Sequence, residues 1–297
     1  MSGKISVIIN TFNEEKSIKR AIKSAAWADE IIVCDMHSKD KTIEIAKKLG
    51  AKVIFFKEEG FVEPARNYAV SKASNEWILL LDADEELPSQ LADRLRKIVN
   101  KYKSISYVEI PRKNIIFGKV MQATGWWPDY QVRLFKKGKV LWQDKIHSKP
   151  KLNGEGIKLD PYEDLAIIHH NYQTMEQFIE RMNCYTSIEA EQIHKEGYKF
   201  SWKDLFEKPL NEFLSRFFAN QGYKDGLHGL SLSFLQAFSF LVVYLKLWQI
   251  DSFKPQEVAL TEIKKEADKT SAALNYWFKD GNSPKNIFKT FLTKLKG

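Results

Sequence analysis

Residues 77–86 have the sequence WILLLDADEE, in which five apolar residues are followed by four acidic side chains within five positions. A continuous apolar run of this length is typical of a strand that is buried on both faces of a parallel sheet. Open sheets of this kind bind their ligands at the carboxyl ends of the strands. The stretch therefore predicts a parallel α/β sheet with a functional site near Asp82 and Asp84.

The residues before this stretch alternate between strand-like and helical patterns. Predicted strands cover residues 5–9, 31–34 and 52–56, and predicted helices cover residues 13–26, 38–49 and 63–72. This order predicts a doubly wound, Rossmann-like domain with a mostly parallel sheet. Neither a G-x-G-x-x-G after the first strand nor a G-x-x-x-x-G-K-[ST] occurs, so a nucleotide must be held without these phosphate-binding loops.

The residues after this stretch contain two further strand patterns and then a helical region. The strand patterns are 107–110 and 131–135, and the helical patterns are 174–196, 200–219 and the uncharged run 227–245. We predict an α/β domain over residues 1–170, a helical C-terminal region over 171–250, and a polar, basic tail over 251–297.

The composition is that of a folded protein. With 297 residues, 44% of them hydrophobic and 28% charged, the chain can bury a sizeable core, which excludes disordered and fibrous classes. The two cysteines, Cys34 and Cys184, are too far apart in sequence for a disulfide framework or a cysteine zinc site. The N-terminus passes directly into a strand pattern, so we expect no secretory signal and a reduced, cytoplasmic setting.

The net charge of +8 is concentrated in one segment. Residues 112–151 contain ten basic and two acidic side chains, and the rest of the chain is balanced. This excess predicts an anionic partner. Because the segment contains no recognisable nucleic-acid-binding module, we do not expect that partner to be nucleic acid.

Four charged residues at predicted strand ends or on an adjoining helix are candidates for ligand binding. Asp82 and Asp84 could bind Mg²⁺ or Mn²⁺ together with the phosphate oxygens of a substrate, or they could form a solvated acidic turn. Asp35 could accept a hydrogen bond from a base or ribose, or cap the following helix. Arg66 could pair with a phosphate, although a surface helix arginine is the commoner explanation.

Residues 125–135, GWWPDYQVRLF, combine paired tryptophans with an acid. Aromatic faces such as that of Trp127 stack on sugars, although a tryptophan pair beside glycine is more often core packing. We expect Asp129 to be a general base whose pKa is raised by partial burial, with Glu163 and Asp164 as reserve candidates. One of three histidines could complete a metal site, or all three could be structural: His147, His169 and His170.

Several motifs together resemble family 2 glycosyltransferases of the GT-A fold. They are residues 6–15, SVIINTFNEE; 27–35, WADEIIVCD; 38–42, SKDKT; 65–67, ARN; and 81–85, LDADE. The segments 125–135, 222–227 and 244–248 further resemble the bacterial lipopolysaccharide core-biosynthesis branch, of the β-1,4-glucosyltransferase type. The resemblance covers about residues 4–250.

This resemblance implies an inverting, metal-assisted transfer of a hexose, glucose in the first instance, from a UDP-sugar to a hydroxyl group of a lipopolysaccharide core or related glycan. It also implies roles for individual residues. Asp129 would be the catalytic base; Asp84, Asp82 and His147 would hold the metal; and the nucleotide sugar would contact Thr11, Glu14, Asp35, Arg66, Asp82 and Trp127.

The same resemblance suggests that the protein works at the inner face of the cell membrane. A helix over residues 227–248 could lie in the membrane interface, or it could be buried against its neighbours. The rival enzyme hypotheses are a family 2 transferase acting on polyprenyl phosphate or on a protein side chain. The rival from another class is a non-catalytic protein that binds nucleotide sugars.

Overall fold

The computed structural model describes residues 3–57, 62–143 and 149–279. The chain forms two compact units. The first comprises Met1–Val120 and Trp127–Gln173, and the second comprises Met121–Trp126 and Thr174–Gly297.

The first unit contains the strands and four helices. The strands are β1 (Ile5–Thr11), β2 (Glu30–Asp35), β3 (Lys52–Phe55), β4 (Trp77–Asp82), β5 (Glu85–Glu86), β6 (Ile105–Ile116), β7 (Lys119–Val120), β8 (Asp129–Lys136), β9 (Val140–Leu141), β10 (Lys151–Leu152), β11 (Glu155–Lys158) and β12 (Ile167–His170). The helices are α1 (Ile18–Ser24), α2 (Thr42–Lys48), α3 (Glu63–Lys72) and α4 (Ser89–Lys101).

The main sheet has the strand order β3-β2-β1-β4-β8-β6-β12-β5, and β7 and β11 also pair with β6. Pairing is parallel from β3 to β4 and antiparallel on both sides of β8. β12 and β11 then pair parallel with β6. This mixed, mostly parallel α/β sheet confirms the predicted fold class.

The two faces of the sheet are covered by different helices, as the alternation of side chains along β1 shows. Val7 and Ile9 pack in a cluster with buried residues of α1, α2 and α4, whereas Ile8 packs with Ala65 and Ala69 of α3. Both faces of β1 and β4 are therefore covered, so β1 is buried along its whole length and β4 is buried up to Leu81.

Two predicted helices begin later than expected. α1 starts at Ile18, because residues 13–17 form a turn in which the Glu14 N–H donates to the Thr42 hydroxyl at 2.8 Å. α2 starts at Thr42, whose N–H donates to the Asp40 carboxylate at 2.9 Å. In both places, hydrogen bonds from backbone N–H groups to polar side chains replace the first helical turn.

The second unit is helical in its described part. It contains α5 (Met175–Lys195), α6 (Asp204–Leu214), α7 (Leu227–Ile250) and α8 (Leu260–Lys279). The predicted helix over 200–219 is shorter as an α-helix, since Ser215–Ala219 forms a π-helical turn. The carboxylate of Asp225 fixes the segment 121–126 by accepting the N–H groups of Gln122 and Ala123, each at 2.9 Å.

α7 is long and apolar enough to cross a membrane by length and composition. One side of it packs in the unit through Val243, Tyr244 and Leu247. The other side has a narrow exposed apolar stripe, because residues spaced by seven and four positions lie on one helix face. The members of this stripe are Leu227, Phe234, Phe238 and Leu245.

Candidate active site

The ends of β1, β2 and β4 meet at the carboxyl edge of the sheet. In the parallel register, Thr11 pairs with Asp35 and Asn10 pairs with Asp82. The structure thus places three of the residues predicted to contact a nucleotide sugar at one edge.

Asp82 is held by arginine side chains. Its Oδ2 lies 2.5 Å from Arg133 Nη2, and its Oδ1 lies 3.2 Å from Arg66 Nη2. Burial raises the pKa of Asp82, but the Arg133 and Arg66 guanidinium groups outweigh burial and hold this pKa well below its ordinary value. Asp82 therefore serves in this structure as a counter-charge for two arginines.

Glu85 extends this charged cluster and was missed by the sequence analysis. It is fully buried, and its Oε1 accepts from Arg133 Nη2 at 2.5 Å and from Arg112 Nη1 at 3.1 Å. Its Oε2 accepts the N–H of Asp82 at 2.9 Å. A sequence signal existed for Arg133, because it is the one charged side chain in the strand run 132–135, VRLF. A buried cation in a strand needs an internal partner.

Asp84 lies beside a histidine from another strand. His169 Nε2 is 3.4 Å from Asp84 Oδ1, and the backbone N–H of His170 donates to the Asp84 carbonyl at 3.0 Å. His170 itself contacts Glu86, with Nε2 and Oε2 at 3.3 Å. Across the described ranges, no three His, Cys, Asp or Glu side chains form a ready-made metal site. His147, a predicted metal ligand, lies outside the described residues.

Asp129 is surrounded by hydrogen-bond donors. Its Oδ2 accepts from Arg112 Nε at 2.8 Å and from Asn114 Nδ2 at 3.1 Å, and its Oδ1 accepts from Gln131 Nε2 at 2.8 Å. The expectation that the pKa of Asp129 is raised was wrong. Burial does raise it, but the Arg112 charge and these hydrogen bonds outweigh burial and lower the pKa.

The reserve candidates lie on an exposed 3₁₀ turn, Glu163–Leu165. There, Glu163 Oε2 lies 3.4 Å from Lys113 Nζ.

The residues predicted to contact the nucleotide differ in accessibility. Asp35 is fully buried, and its carboxylate accepts from the Ser38 N–H at 2.8 Å and the Ser38 hydroxyl at 2.6 Å, in the loop before α2. It does not cap that helix, which begins only at Thr42. Glu14 accepts a hydrogen bond from the Ser17 hydroxyl. Trp127 is half-buried. Thr11 is buried, and its hydroxyl has no hydrogen-bond partner in the described structure.

The basic segment 112–151 is only partly available to an anionic partner. Arg112 and Arg133 are used as internal counter-charges for Asp129, Asp82 and Glu85. Among the described residues of this segment, the exposed positive charge therefore comes from lysines, and the side chains of Lys137, Lys149 and Lys151 are exposed.

Comparison with known proteins identifies the family. The family model "Glycosyl transferase family 2" matches residues 6–150. An uncharacterized glycosyltransferase of Rickettsia typhi is 32% identical over 268 residues, which cover 87% of this chain and 91% of the relative. The chain belongs to glycosyl transferase family 2.

Two solved structures illustrate the structural similarity. The crystal structure of S. aureus TarS 1-349 has 17% identity and a TM-score of 0.45, and the match covers 86% of this chain and 94% of the TarS 1-349 chain. Glucosyl-3-phosphoglycerate synthase from Mycobacterium tuberculosis, in complex with Mn²⁺, UDP and glucosyl-3-phosphoglycerate, has 17% identity and a TM-score of 0.40. That match covers 67% of this chain and 82% of the synthase.

Proposed function

We propose that this family 2 glycosyltransferase moves a hexose, glucose in the first instance, from a UDP-sugar to a hydroxyl group of a lipopolysaccharide core or related surface glycan, with inversion and with the help of a divalent metal. The observation that carries the proposal is the Asp84–His169 pair at 3.4 Å. It lies next to the buried carboxylate and arginine cluster at the end of β4.

The carboxylate of Asp84 suits Mg²⁺ or Mn²⁺, and the imidazole nitrogen of His169 favours Mn²⁺, because Mg²⁺ takes oxygen ligands. These cations are commonly bound by one or two protein ligands, with water and substrate phosphate oxygens completing the shell. Asp84 and His169 would be the protein ligands, since both oxygens of Asp82 face guanidinium groups. When bound, the metal would neutralise negative charge on the departing diphosphate.

The nucleotide would lie over the ends of β1 and β2. The unpartnered hydroxyl of Thr11 supports this placement, because a buried polar group without a partner requires an explanation and a bound ligand supplies one. Asp35 would contribute to nucleotide binding indirectly, because its hydrogen bonds with Ser38 hold the loop that follows β2. Glu14, Arg66 and Trp127 are the remaining proposed contacts, with Trp127 offering an aromatic face to the sugar.

Asp129 would accept the proton of the acceptor hydroxyl. That hydroxyl oxygen then attacks the anomeric carbon from the face opposite the diphosphate, and the sugar–phosphate bond breaks. The lowered pKa keeps Asp129 ionised at neutral pH, which is the form that accepts a proton. It also makes Asp129 a weaker base than a carboxylate with a raised pKa, so the metal and the position of the acceptor have to supply more of the rate.

The acceptor would be anionic and carried by a lipid. Exposed lysines of the segment 112–151 would contact its phosphate groups. The exposed apolar stripe of α7 would lie in the interface of the inner leaflet, and the enzyme would then work on the cytoplasmic face of the membrane.

The test is release of UDP by the purified protein from a panel of UDP-sugars, with Mn²⁺ or with a chelator. We expect slow, metal-dependent hydrolysis of one UDP-hexose, which names the donor. Asp84→Ala should abolish this release while leaving the circular dichroism spectrum unchanged, and Asp93→Ala, on α4, is the matched control.

Two results would contradict the proposal. If UDP were released equally with Mn²⁺ and with a chelator, the proposed role of the metal would be wrong. If no UDP-sugar bound in a calorimetric titration, the proposal that the donor is a UDP-sugar would be wrong.

A further inference from the structure

We propose that Asp129, acting through Asn114, sets the tautomer of His169 and so prepares Nε2 as a cation ligand beside Asp84. Asn114 is then a positioning residue that links the proposed base to the proposed metal site. The inference rests on the proposed function only for the identity of the cation. The tautomer itself is a property of the protein alone.

The sheet register builds this link. On β6, Arg112 lies opposite Asp129 of β8, and Asn114 lies opposite His169 of β12. Residues two apart on a strand share a face, so Arg112 and Asn114 project to the same side of β6. Asn114 is fully buried, and its side chain reaches Asp129 Oδ2 at 3.1 Å and His169 Nδ1 at 2.6 Å.

The orientation of the Asn114 amide follows from Asp129. A carboxylate that is paired with a guanidinium group is ionised and can only accept hydrogen bonds. Asn114 must therefore turn its Nδ2 towards Asp129, since the opposite orientation would place two acceptors against each other. This leaves Asn114 Oδ1 facing His169 Nδ1 at 2.6 Å.

The tautomer of His169 follows from Asn114. Because the amide oxygen can only accept, His169 Nδ1 must carry the proton and donate it. In the neutral ring, Nε2 then carries the lone pair, and Nε2 is the atom 3.4 Å from Asp84 Oδ1. A histidine whose second nitrogen donates to a fixed acceptor is the usual arrangement of a metal-binding histidine.

The arrangement also gives Asp129 a second effect. Neutralising its carboxylate removes the feature that fixes the Asn114 amide, so Asp129→Asn should weaken cation binding as well as proton transfer. If Asp129 were a general base without this link, replacing it would affect glycosyl transfer alone.

The first test is the tautomer of His169 in the metal-free wild-type protein, read from long-range ¹⁵N–¹H correlations of the imidazole rings at neutral pH. His169→Gln assigns the signals. We expect protonated Nδ1 and unprotonated Nε2. A ring without a proton on Nδ1 would overturn the inference. This spectrum decides the matter even if every Asn114 variant fails to fold.

The second test measures Mn²⁺ affinity by electron paramagnetic resonance in the presence of UDP. Asn114→Leu should weaken Mn²⁺ binding by about tenfold or more, as losses of supporting hydrogen bonds at metal sites do. Asn75→Leu is the control, because Asn75 bonds Ser6 at the opposite edge of the sheet. An Asn114→Leu protein that folds and binds Mn²⁺ as the wild type does would overturn the inference. If the wild type binds no Mn²⁺ while its tautomer is as expected, the metal proposal fails and the tautomer inference stands.

Discussion

Replacing Arg133 by methionine should lower the free energy of unfolding of the first unit by about 3 kcal/mol, the lower end of the range for breaking a buried ion pair. Arg133 is 3% exposed and lies 2.5 Å from both Asp82 Oδ2 and Glu85 Oε1. The loss stays at the lower end because Arg66 still contacts Asp82 at 3.2 Å and Arg112 still contacts Glu85 at 3.1 Å.

The assay is urea unfolding followed by circular dichroism at neutral pH. Arg96→Met is the control, since Arg96 pairs with Asp29 at 2.6 Å but both side chains are 28% exposed. Pairs with this much exposure contribute little, so the control should cost much less. Adding Glu85→Gln to Arg133→Met should recover part of the loss, because the second change removes the buried charge that the first leaves with fewer partners.

A loss below about 1 kcal/mol for Arg133→Met, or a double variant whose loss is the sum of the two single losses, would refute this reasoning. Either result would mean that the cluster is solvated and that its charges do not depend on one another.

Three further predictions follow from the described contacts. At Mn²⁺ concentrations high enough to restore UDP-sugar binding, Asp129→Asn should still lose glycosyl transfer in a donor-plus-acceptor assay; retained transfer would move the base to another carboxylate, Glu163 or Asp164. The free energy of unfolding should fall as the pH drops below about 4, the ordinary pKa of aspartate. Asp82 and Asp129 have lowered pKa values in the fold, so their contribution to stability is complete above that pH and is lost as they take up protons. A urea midpoint that is constant down to strong acid would contradict this. Phe234→Ser with Phe238→Ser should reduce co-sedimentation with anionic lipid vesicles and leave release of UDP in solution unchanged, and equal sedimentation would remove α7 from the membrane contact.

The fold could be predicted because local pattern and global structure agree in the first unit. The apolar run of β4 requires cover on both faces, and the structure supplies it with α3 on one side and α1, α2 and α4 on the other. The starts of α1 and α2 could not be placed. Thr42 and Asp40 are of residue types that occur both at helix termini and in loops. Only the contact between Thr42 and Glu14 shows where the helices begin.

The acids of the candidate site were found from sequence, and His169 was among the histidine candidates, but the pairing of the acids with arginines was not predicted. Asp82 and Asp84 stand out because they follow a buried strand, whereas Glu85 looks like one more residue of an acidic turn. Its burial depends on Arg112 and Arg133, which β6 and β8 bring to it from distant parts of the sequence.

The pKa of Asp129 was misjudged for the same reason. Burial near aromatic residues suggested a raised value, and the register of β6 against β8, which places Arg112 opposite Asp129, reverses the direction. Long-range strand pairing therefore decides the electrostatics, and no local motif contains that information.

The central claim is that Asp84 and His169 hold a divalent metal which in turn helps to hold a UDP-sugar. The most direct measurement is a calorimetric titration of UDP into the wild-type protein, with Mn²⁺ and with a chelator, repeated on Asp84→Ala. We expect binding that requires Mn²⁺ in the wild type and is lost in Asp84→Ala. UDP binding of equal strength in all of these conditions would contradict the claim.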